Sequence, residues 1–180
     1  MKFRPTLVVS GIIAGVLIAG ISSHPSHAEI IVTESQISAI KSHCVENQAS
    51  LNQLHQSDAF LRIDRGNLYR TIGDKLMTPL NRRIATNRLD GGNLVQVASG
   101  LDKEYKSFYD AYIAYDTALS NLSKIDCTKE PVAFYTALLA ARSTRQTLNE
   151  SNQRLVQLLR DYKVEFDNFK EKFVQEHAKS

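Results

Sequence analysis

Two cysteines are the residues of this sequence with the clearest chemistry. Cys44 and Cys127 are the only cysteines in the chain. An even number of cysteines in an exported protein allows one intramolecular disulfide, because disulfides persist in oxidising compartments. The loop closed by this bridge is long, and the chain-entropy treatment gives it roughly 4 to 5 kcal/mol, less any strain in the folded state. The sequence predicts this disulfide, and two buried free thiols are the alternative.

Other candidates for catalysis or metal binding are scattered along the chain. His43, His55 and His177 do not have the spacing of metal ligands, and zinc requires three or four convergent ligands. No serine lies in a nucleophile-elbow motif, and the sequence has no glycine-rich phosphate loop. We therefore expect no catalytic residues, no metal site and no cofactor.

The most distinctive charged segment spans residues 62–88, with seven basic and two acidic residues. Such a patch could bind an anionic partner, for example phospholipid headgroups or a cell-wall polymer. The alternative is internal neutralisation by the acidic end of the last predicted helix, from Asp161 to Glu176. We favour neutralisation, because charge runs usually serve the fold or solubility. The candidate anionic-ligand residues are Arg62, Arg65, Arg70, Arg82, Arg83 and Arg88.

The first 28 residues have the three-part pattern of a secretory signal peptide. Lys2 and Arg4 are basic, Leu7–Ile21 is apolar but shorter than the roughly 20 residues of a bilayer span, and Ser26 and Ala28 are small. We predict cleavage after Ala28 and a periplasmic, cell-surface or extracellular protein, with an uncleaved membrane anchor as the alternative. Without Lys2 and Arg4 the formal net charge falls from +3 to +1, which weakens any nucleic-acid-binding interpretation.

Residues 29–180 predict one all-α domain. The sequence lacks β-strand alternation, and its few glycines and prolines leave helical patterns at about 34–78, 79–88, 93–125 and 131–176. Thr33, with Gln36 three residues later, predicts a capping box, and Asn93 predicts a second N-cap. We expect an elongated up-down-up three-helix antiparallel coiled-coil bundle closed by the disulfide.

Three apolar seams with alternating steps of three and four residues support this bundle. Arg145 and Asn152 interrupt the last seam, where polar residues can fix the register. The aromatic run in the second seam is expected in the core, with Tyr109 off the seam and exposed. The seams are Ile37, Ile40, Cys44, Leu51, Leu54, Leu61, Leu68 and Ile72; Leu94, Val97, Leu101, Tyr105, Phe108, Tyr112, Tyr115, Leu119 and Leu122; and Leu138, Ala141, Arg145, Leu148, Asn152, Leu155, Leu159, Tyr162, Phe166, Phe169 and Phe173.

Pro79 marks the predicted end of the first long helix, because proline suits the first turn of a helix and disrupts its interior. An unbroken helix that turned back only at Gly91 and Gly92 would place Cys127 opposite residue 55. A break at Thr78-Pro79 would remove this mismatch with Cys44. Residues 79–92 would then cross to cover the end of the last helix, with Leu80, Ile84 and Leu89 on Phe166, Phe169 and Phe173.

Three short motifs relate this sequence to other proteins: Leu61-Arg62-Ile63-Asp64-Arg65-Gly66, Leu76-Met77-Thr78-Pro79-Leu80-Asn81-Arg82-Arg83, and Asp126-Cys127 with Glu130-Pro131 and Phe134-Tyr135. In these motifs the chain resembles a loose group of small exported all-helical proteins from bacteria with reduced genomes. The resemblance covers most of the predicted mature chain. It implies export and helical structure, and it supplies no catalytic residue.

These patterns favour a structural or interaction protein of the cell envelope without catalytic activity. Long heptad seams suit a rigid rod that presents helix faces to another protein or to itself. A holdase-like envelope chaperone and a binder of anionic envelope polymers or lipid headgroups are the two alternatives. We expect no nucleic-acid partner.

Overall fold

The computed structural model describes residues 32–178, apart from the side chains at positions 61 and 177, and within that range it has helices and no strand. The predicted signal peptide and its cleavage site after Ala28 lie outside the described residues. The all-α fold is confirmed. The elements are α1 (Glu34–Ser42), α2 (Cys44–Thr71), a π-helix (Ile72–Met77), α3 (Thr78–Thr86), α4 (Gly92–Ser123) and α5 (Pro131–His177).

The start of α1 has the predicted capping box. The Thr33 N–H donates to Gln36 Oε1 at 2.8 Å, and the Gln36 N–H donates to Thr33 Oγ1 at 3.4 Å. The helical conformation is then interrupted at His43, where φ is −106° and ψ is 17°. The first predicted helix is therefore divided one residue before Cys44.

The predicted helix break at Thr78-Pro79 is wrong, because the chain stays helical across Pro79 to Thr86. The Thr78 N–H donates to the Gly73 carbonyl, a bond that spans five residues instead of the four of an α-helix. In a regular α-helix the Pro79 ring would clash with the carbonyl four residues earlier and leave it without a donor. The π-helix immediately before the ring relieves this conflict.

The chain reverses after α3 through a Schellman motif that has an arginine where glycine is usual. The Arg88 N–H donates to the Ala85 carbonyl and the Leu89 N–H to the Ile84 carbonyl, both at 3.0 Å. Arg88 has a φ of 55°, in the left-handed region that is strained for residues with a Cβ atom. The predicted crossing segment at 79–92 is therefore reduced to a short turn.

Arg88→Gly is expected to raise the free energy of unfolding by about 1 kcal/mol, because glycine adopts a positive φ without steric cost. Urea denaturation measures this change. Arg83 is an exposed arginine inside α3, and Arg83→Gly should instead destabilise by about 1 kcal/mol through lower helix propensity. Destabilisation by both substitutions would contradict the strained conformation at Arg88.

The N-terminus of α4 differs from the prediction. The N-cap is Gly91 and not Asn93, and no side chain caps the helix. The Asn93 amide donates instead to Glu165 Oε2 at 2.9 Å, which links α4 to α5. A Cβ atom at Gly91 would lie 2.5 Å from Ile84 Cγ2, so glycine is required here for close approach to buried Ile84.

The core is formed largely where one face of α4 packs on α5. Every seam residue predicted for α4 is buried or half-buried, and Tyr109 is exposed as predicted. On α5 the seam residues Ala141, Leu155 and Tyr162 are buried, whereas Phe173 is exposed at the C-terminal end. Near the turn, the predicted cover of α5 is present in one cluster of Leu80, Ile84, Leu89, Phe166 and Phe169.

The seam predicted for the first helix is only partly correct. Ile40 and Leu51 pack on the core, but Leu68 is 53% exposed. The buried residues at the far end of this helical stretch are Tyr69, Met77 and Ile84.

The predicted disulfide is confirmed. It joins Cys44 at the start of α2 to Cys127 in the connection between α4 and α5, with 5.5 Å between the Cα atoms. Both cysteines are buried in one apolar cluster. Cys127 meets residue 44 although the chain turns back only after Thr86, and it does so from the connection that follows the end of α4 at Ser123.

Candidate functional site

The six arginines proposed as an anionic-ligand patch lie at separate positions. Arg62, Arg65 and Arg70 belong to α2, Arg82 and Arg83 to α3, and Arg88 to the following turn. At 1.5 Å per residue, about 30 Å of helix separates Arg62 from Arg83. The predicted patch is therefore divided. Arg62 and Arg65 have different neighbours from the arginines near the turn.

Arg62 and Arg65 line a groove between α2 and α5 whose floor is provided by α4. Its volume is about 160 Å³. α5 contributes a third arginine, Arg145, which the sequence had placed on a seam without a ligand role. The α2–α5 groove is lined by Asp58, Arg62, Arg65, Phe108, Tyr112, Arg145, Leu148, Asn149 and Asn152.

Each arginine of the α2–α5 groove is held by a specific contact. The Arg62 guanidinium carbon lies 4.0 Å from the centre of the Tyr112 ring, a cation–π arrangement. Arg65 Nη1 donates to Asn152 Oδ1 at 3.1 Å. Arg145 Nε lies 3.6 Å from Asp58 Oδ2. The partner of Arg145 is thus Asp58.

Two tyrosine–carboxylate pairs lie beneath the groove. Tyr115 Oη donates to Asp58 Oδ2 at 2.6 Å, and Tyr112 Oη donates to Asp116 Oδ1 at 2.9 Å. Burial, followed by the hydrogen bond to Asp116, raises the pKa of Tyr112 to about 12, and burial with the bond to Asp58 raises the pKa of Tyr115 further. Both phenols therefore remain protonated donors at neutral pH.

His55 completes this polar network between α2 and α4. Its Nε2 atom lies 2.9 Å from Asp116 Oδ1, so Asp116 accepts from both helices. Burial by itself would raise the pKa of the Asp116 carboxyl, but hydrogen bonds from His55 and Tyr112, with the positive charges of His55 and Arg62, lower it below its usual value. The ionised carboxylate is the form that the fold favours.

This lowered pKa makes the protein's stability depend on pH in the acid range. A carboxyl with a depressed folded-state pKa contributes stability above its unfolded-state pKa of about 3.9, and the contribution is lost as pH falls through the folded-state value. Asp116→Asn should therefore flatten the decline in the free energy of unfolding between about pH 4 and lower pH. Urea denaturation over a pH series measures this slope. Asp110→Asn, at an exposed position of the same helix, should leave the slope unchanged, and equal slopes for all three proteins would contradict the role of Asp116.

The other four arginines have different surroundings. The Arg70 guanidinium carbon lies 5.7 Å from the Tyr105 ring centre, beside a cavity of about 540 Å³ next to the π-helix. Arg82, Arg83 and Arg88 are exposed, and within residues 32–178 no carboxylate oxygen lies within 4.0 Å of their nitrogens. Direct pairing with the acidic end of α5, the favoured expectation, is therefore not observed at these three residues.

Charged residues of that end have partners other than these arginines. Lys163 Nζ pairs with Asp167 at 2.6 Å within α5, and Lys172 Nζ pairs with Asp90 at 2.9 Å. Glu165 accepts from Asn93, as described above. The positive charge near the turn is thus left to solvent in the described structure.

In the stretch from residue 32 to residue 178, no three His, Cys, Asp or Glu side chains gather in an arrangement that could hold a metal ion. None of the helices described there combines the length and apolar character needed to traverse a bilayer.

Comparison of the chain with protein-family models, curated proteins and solved structures gave no significant match.

Proposed function

We propose that this chain is an exported interaction protein of the cell envelope, without catalytic activity, that binds a protein partner through the outer face of α2. The observation that carries the proposal is the exposure of large apolar side chains there. Phe60 is 72% exposed and Ile63, one helical turn later, is 49% exposed. Exposed apolar side chains mark an interaction surface where they are contiguous, and these two residues lie on one face of α2.

The architecture we propose for this role is a long three-helix antiparallel coiled-coil bundle that holds α2 as a rigid outer helix. Hydrogen bonds from α2 to α4, such as His55 to Asp116, and from α2 to α5, such as Arg65 to Asn152, support it. A rigid helix presents a docking face at low entropic cost, because its side chains are already positioned.

Export is a further part of the proposal. The Cys44–Cys127 disulfide is compatible with a compartment outside the cytoplasm. The signal-peptide pattern and cleavage after Ala28 remain predictions from the sequence. Mass spectrometry of the protein isolated from its own cells would test them, since a mature N-terminus at Glu29 is expected.

Site-specific photo-crosslinking in the native envelope tests the docking face. A benzophenone amino acid at position 60 should give a discrete adduct, whereas the same group at position 164 should not, although Val164 on α5 is 56% exposed. Phe60→Glu with Ile63→Glu should abolish the adduct formed from a neighbouring position. Adducts of equal yield from both positions would overturn the proposal.

Suppression of client aggregation at stoichiometric amounts would instead favour a holdase-like chaperone.

The partner could be a second copy of the chain, and light scattering detects such self-association directly. A dimer that becomes a monomer on Phe60→Glu with Ile63→Glu would identify the chain itself as the partner. A strict monomer, together with no adduct at position 60, would exclude a partner at this face.

A second candidate function is binding to an anionic envelope surface through the turn after α3. It is favoured by Arg82, Arg83 and Arg88, which lack a carboxylate partner in the described part of the chain, and by the strained backbone at Arg88. Co-sedimentation with anionic phospholipid vesicles should decrease with salt and on replacing the three arginines with glutamine. Salt-insensitive or absent co-sedimentation would exclude it.

A further inference from the structure

We propose that the α2–α5 groove is a binding site for a small carboxylic acid that carries an apolar body. The site lies on the side of α2 that faces α5, and its ligand is distinct from the protein partner proposed for Phe60 and Ile63. Three features of the groove support this ligand class: its excess positive charge, its fixed guanidinium groups and its apolar floor.

The groove has more positive charge than its carboxylate can balance. Three arginines line it against one carboxylate, Asp58, which already accepts from Tyr115 and pairs with Arg145. Within the described residues, no carboxylate oxygen lies within 4.0 Å of a nitrogen of Arg62 or Arg65. An anion that enters the groove therefore meets two guanidinium groups without a direct ionic partner.

These guanidinium groups are held in place before any ligand arrives. Tyr112 fixes Arg62 from below, Asn152 accepts from Arg65, and Asp58 restrains Arg145. Asn152 is itself fixed, because it also accepts from Tyr69 Oη at 2.7 Å. Preorganised arginine side chains lose little entropy on binding, and their planar forks match the two oxygens of a carboxylate.

The floor of the groove selects a ligand with an apolar part. The Arg62 guanidinium covers the ring of buried Tyr112, so Phe108 and half-buried Leu148 supply the apolar base beneath the charged rim. The volume of about 160 Å³ is close to that of the roughly 150 Å³ apolar cavity that accommodates benzene. A benzene-sized body on the floor, with its carboxylate between Arg62 and Arg65, satisfies both the shape and the charge.

Isothermal titration calorimetry of the disulfide-bonded protein with three probes tests this site. Benzoate has the charge and the ring, inorganic phosphate has only charge, and benzyl alcohol has only the ring. We expect saturable benzoate binding and at least about tenfold weaker binding of the other two. No saturable benzoate binding overturns the site, and phosphate binding as tight as benzoate overturns the role of the apolar floor.

Matched arginine variants separate the site from general electrostatics. Arg62→Gln and Arg65→Gln should each weaken benzoate binding by at least about tenfold, whereas Arg160→Gln removes the same charge at an exposed position of α5 and should have no effect. Arg65→Lys should also weaken binding, because lysine keeps the charge but lacks the planar fork. Equal weakening by Arg160→Gln overturns the proposal.

Chemical-shift mapping on the unmodified protein keeps the test independent of the folding of any variant. Benzoate should shift the side-chain resonances of Leu148 and Phe108 and leave those of Ile84, near the turn, unchanged. Shifts centred elsewhere would overturn the assignment of the groove.

Discussion

Replacing both cysteines with alanine is expected to lower the free energy of unfolding by roughly 4 kcal/mol. Cys44 and Cys127 are separated by 83 residues, so the bridge removes much of the freedom of the unfolded chain. In the chain-entropy treatment a loop of this length is worth roughly 4 to 5 kcal/mol. Alanine is chosen because both sulfurs lie in a buried apolar cluster, where a serine hydroxyl would add a desolvation cost.

Urea denaturation of the oxidised protein and of the Cys44→Ala, Cys127→Ala variant measures this loss. The wild-type protein denatured in the presence of a thiol reductant is the matched control, and its stability should approach that of the variant. A loss below about 1 kcal/mol in both experiments would contradict the loop-closure account.

The disulfide also matters for where the chain would open first without it. α1 contacts α5 and has no buried residue of its own. Ile40, one helical turn before Cys44, packs on the core cluster that contains both cysteines, so the bridge supports the attachment of α1. Removal of the bridge is therefore expected to increase the amide exchange rate more in α1 than in α4.

The core residues of α4 could be predicted from the sequence because its inner face is apolar throughout. Leucine, valine and aromatic residues recur there at steps of three and four, and the charged residues of α4 all lie at other positions. Burial of that stripe on α5 is the dominant favourable term, so the pattern determines which face turns inward. The same argument identifies Leu155 and Tyr162 on α5.

The inner face of α2 could not be predicted in this way because much of it is polar. His55, Asp58, Arg62 and Tyr69 also follow steps of three and four, and they form the contacts with α4 and α5. A search restricted to aliphatic residues instead selects Leu68, which is exposed. The polar spacing was a usable signal, since charged and polar residues at a regular inward period require partners on the facing helices.

Only part of the candidate site could be predicted from the sequence, for a related reason. Arg62 and Arg65 were recognised by their charge, but Asp58 and Arg145 were not assigned to the same place. Asp58 and Tyr115 are 57 positions apart, and Arg65 and Asn152 are 87 apart. Contacts between positions so distant depend on the register of α2 against α4 and α5, which the π-helix alters.

The π-helix changes which of two adjacent residues, Leu76 or Met77, faces the core. Substitution of each residue by alanine measures this change. Met77→Ala should cost about 2 to 5 kcal/mol and Leu76→Ala less than about 0.5 kcal/mol. Met77 is 2% exposed and Leu76 is 63% exposed. Urea denaturation of the two variants gives the comparison with the same type of truncation at neighbouring positions.

The expected order of these two costs follows from the π-helix and would be reversed in a regular α-helix. Ile72 and Leu80 both pack on the core, and in an unbroken α-helix Leu76 would share their face, four residues from each. The π-helical bonds span five residues, so the inward position after Ile72 is Met77 instead. A larger cost for Leu76→Ala than for Met77→Ala would therefore show that the helix passes Pro79 without the π-helix.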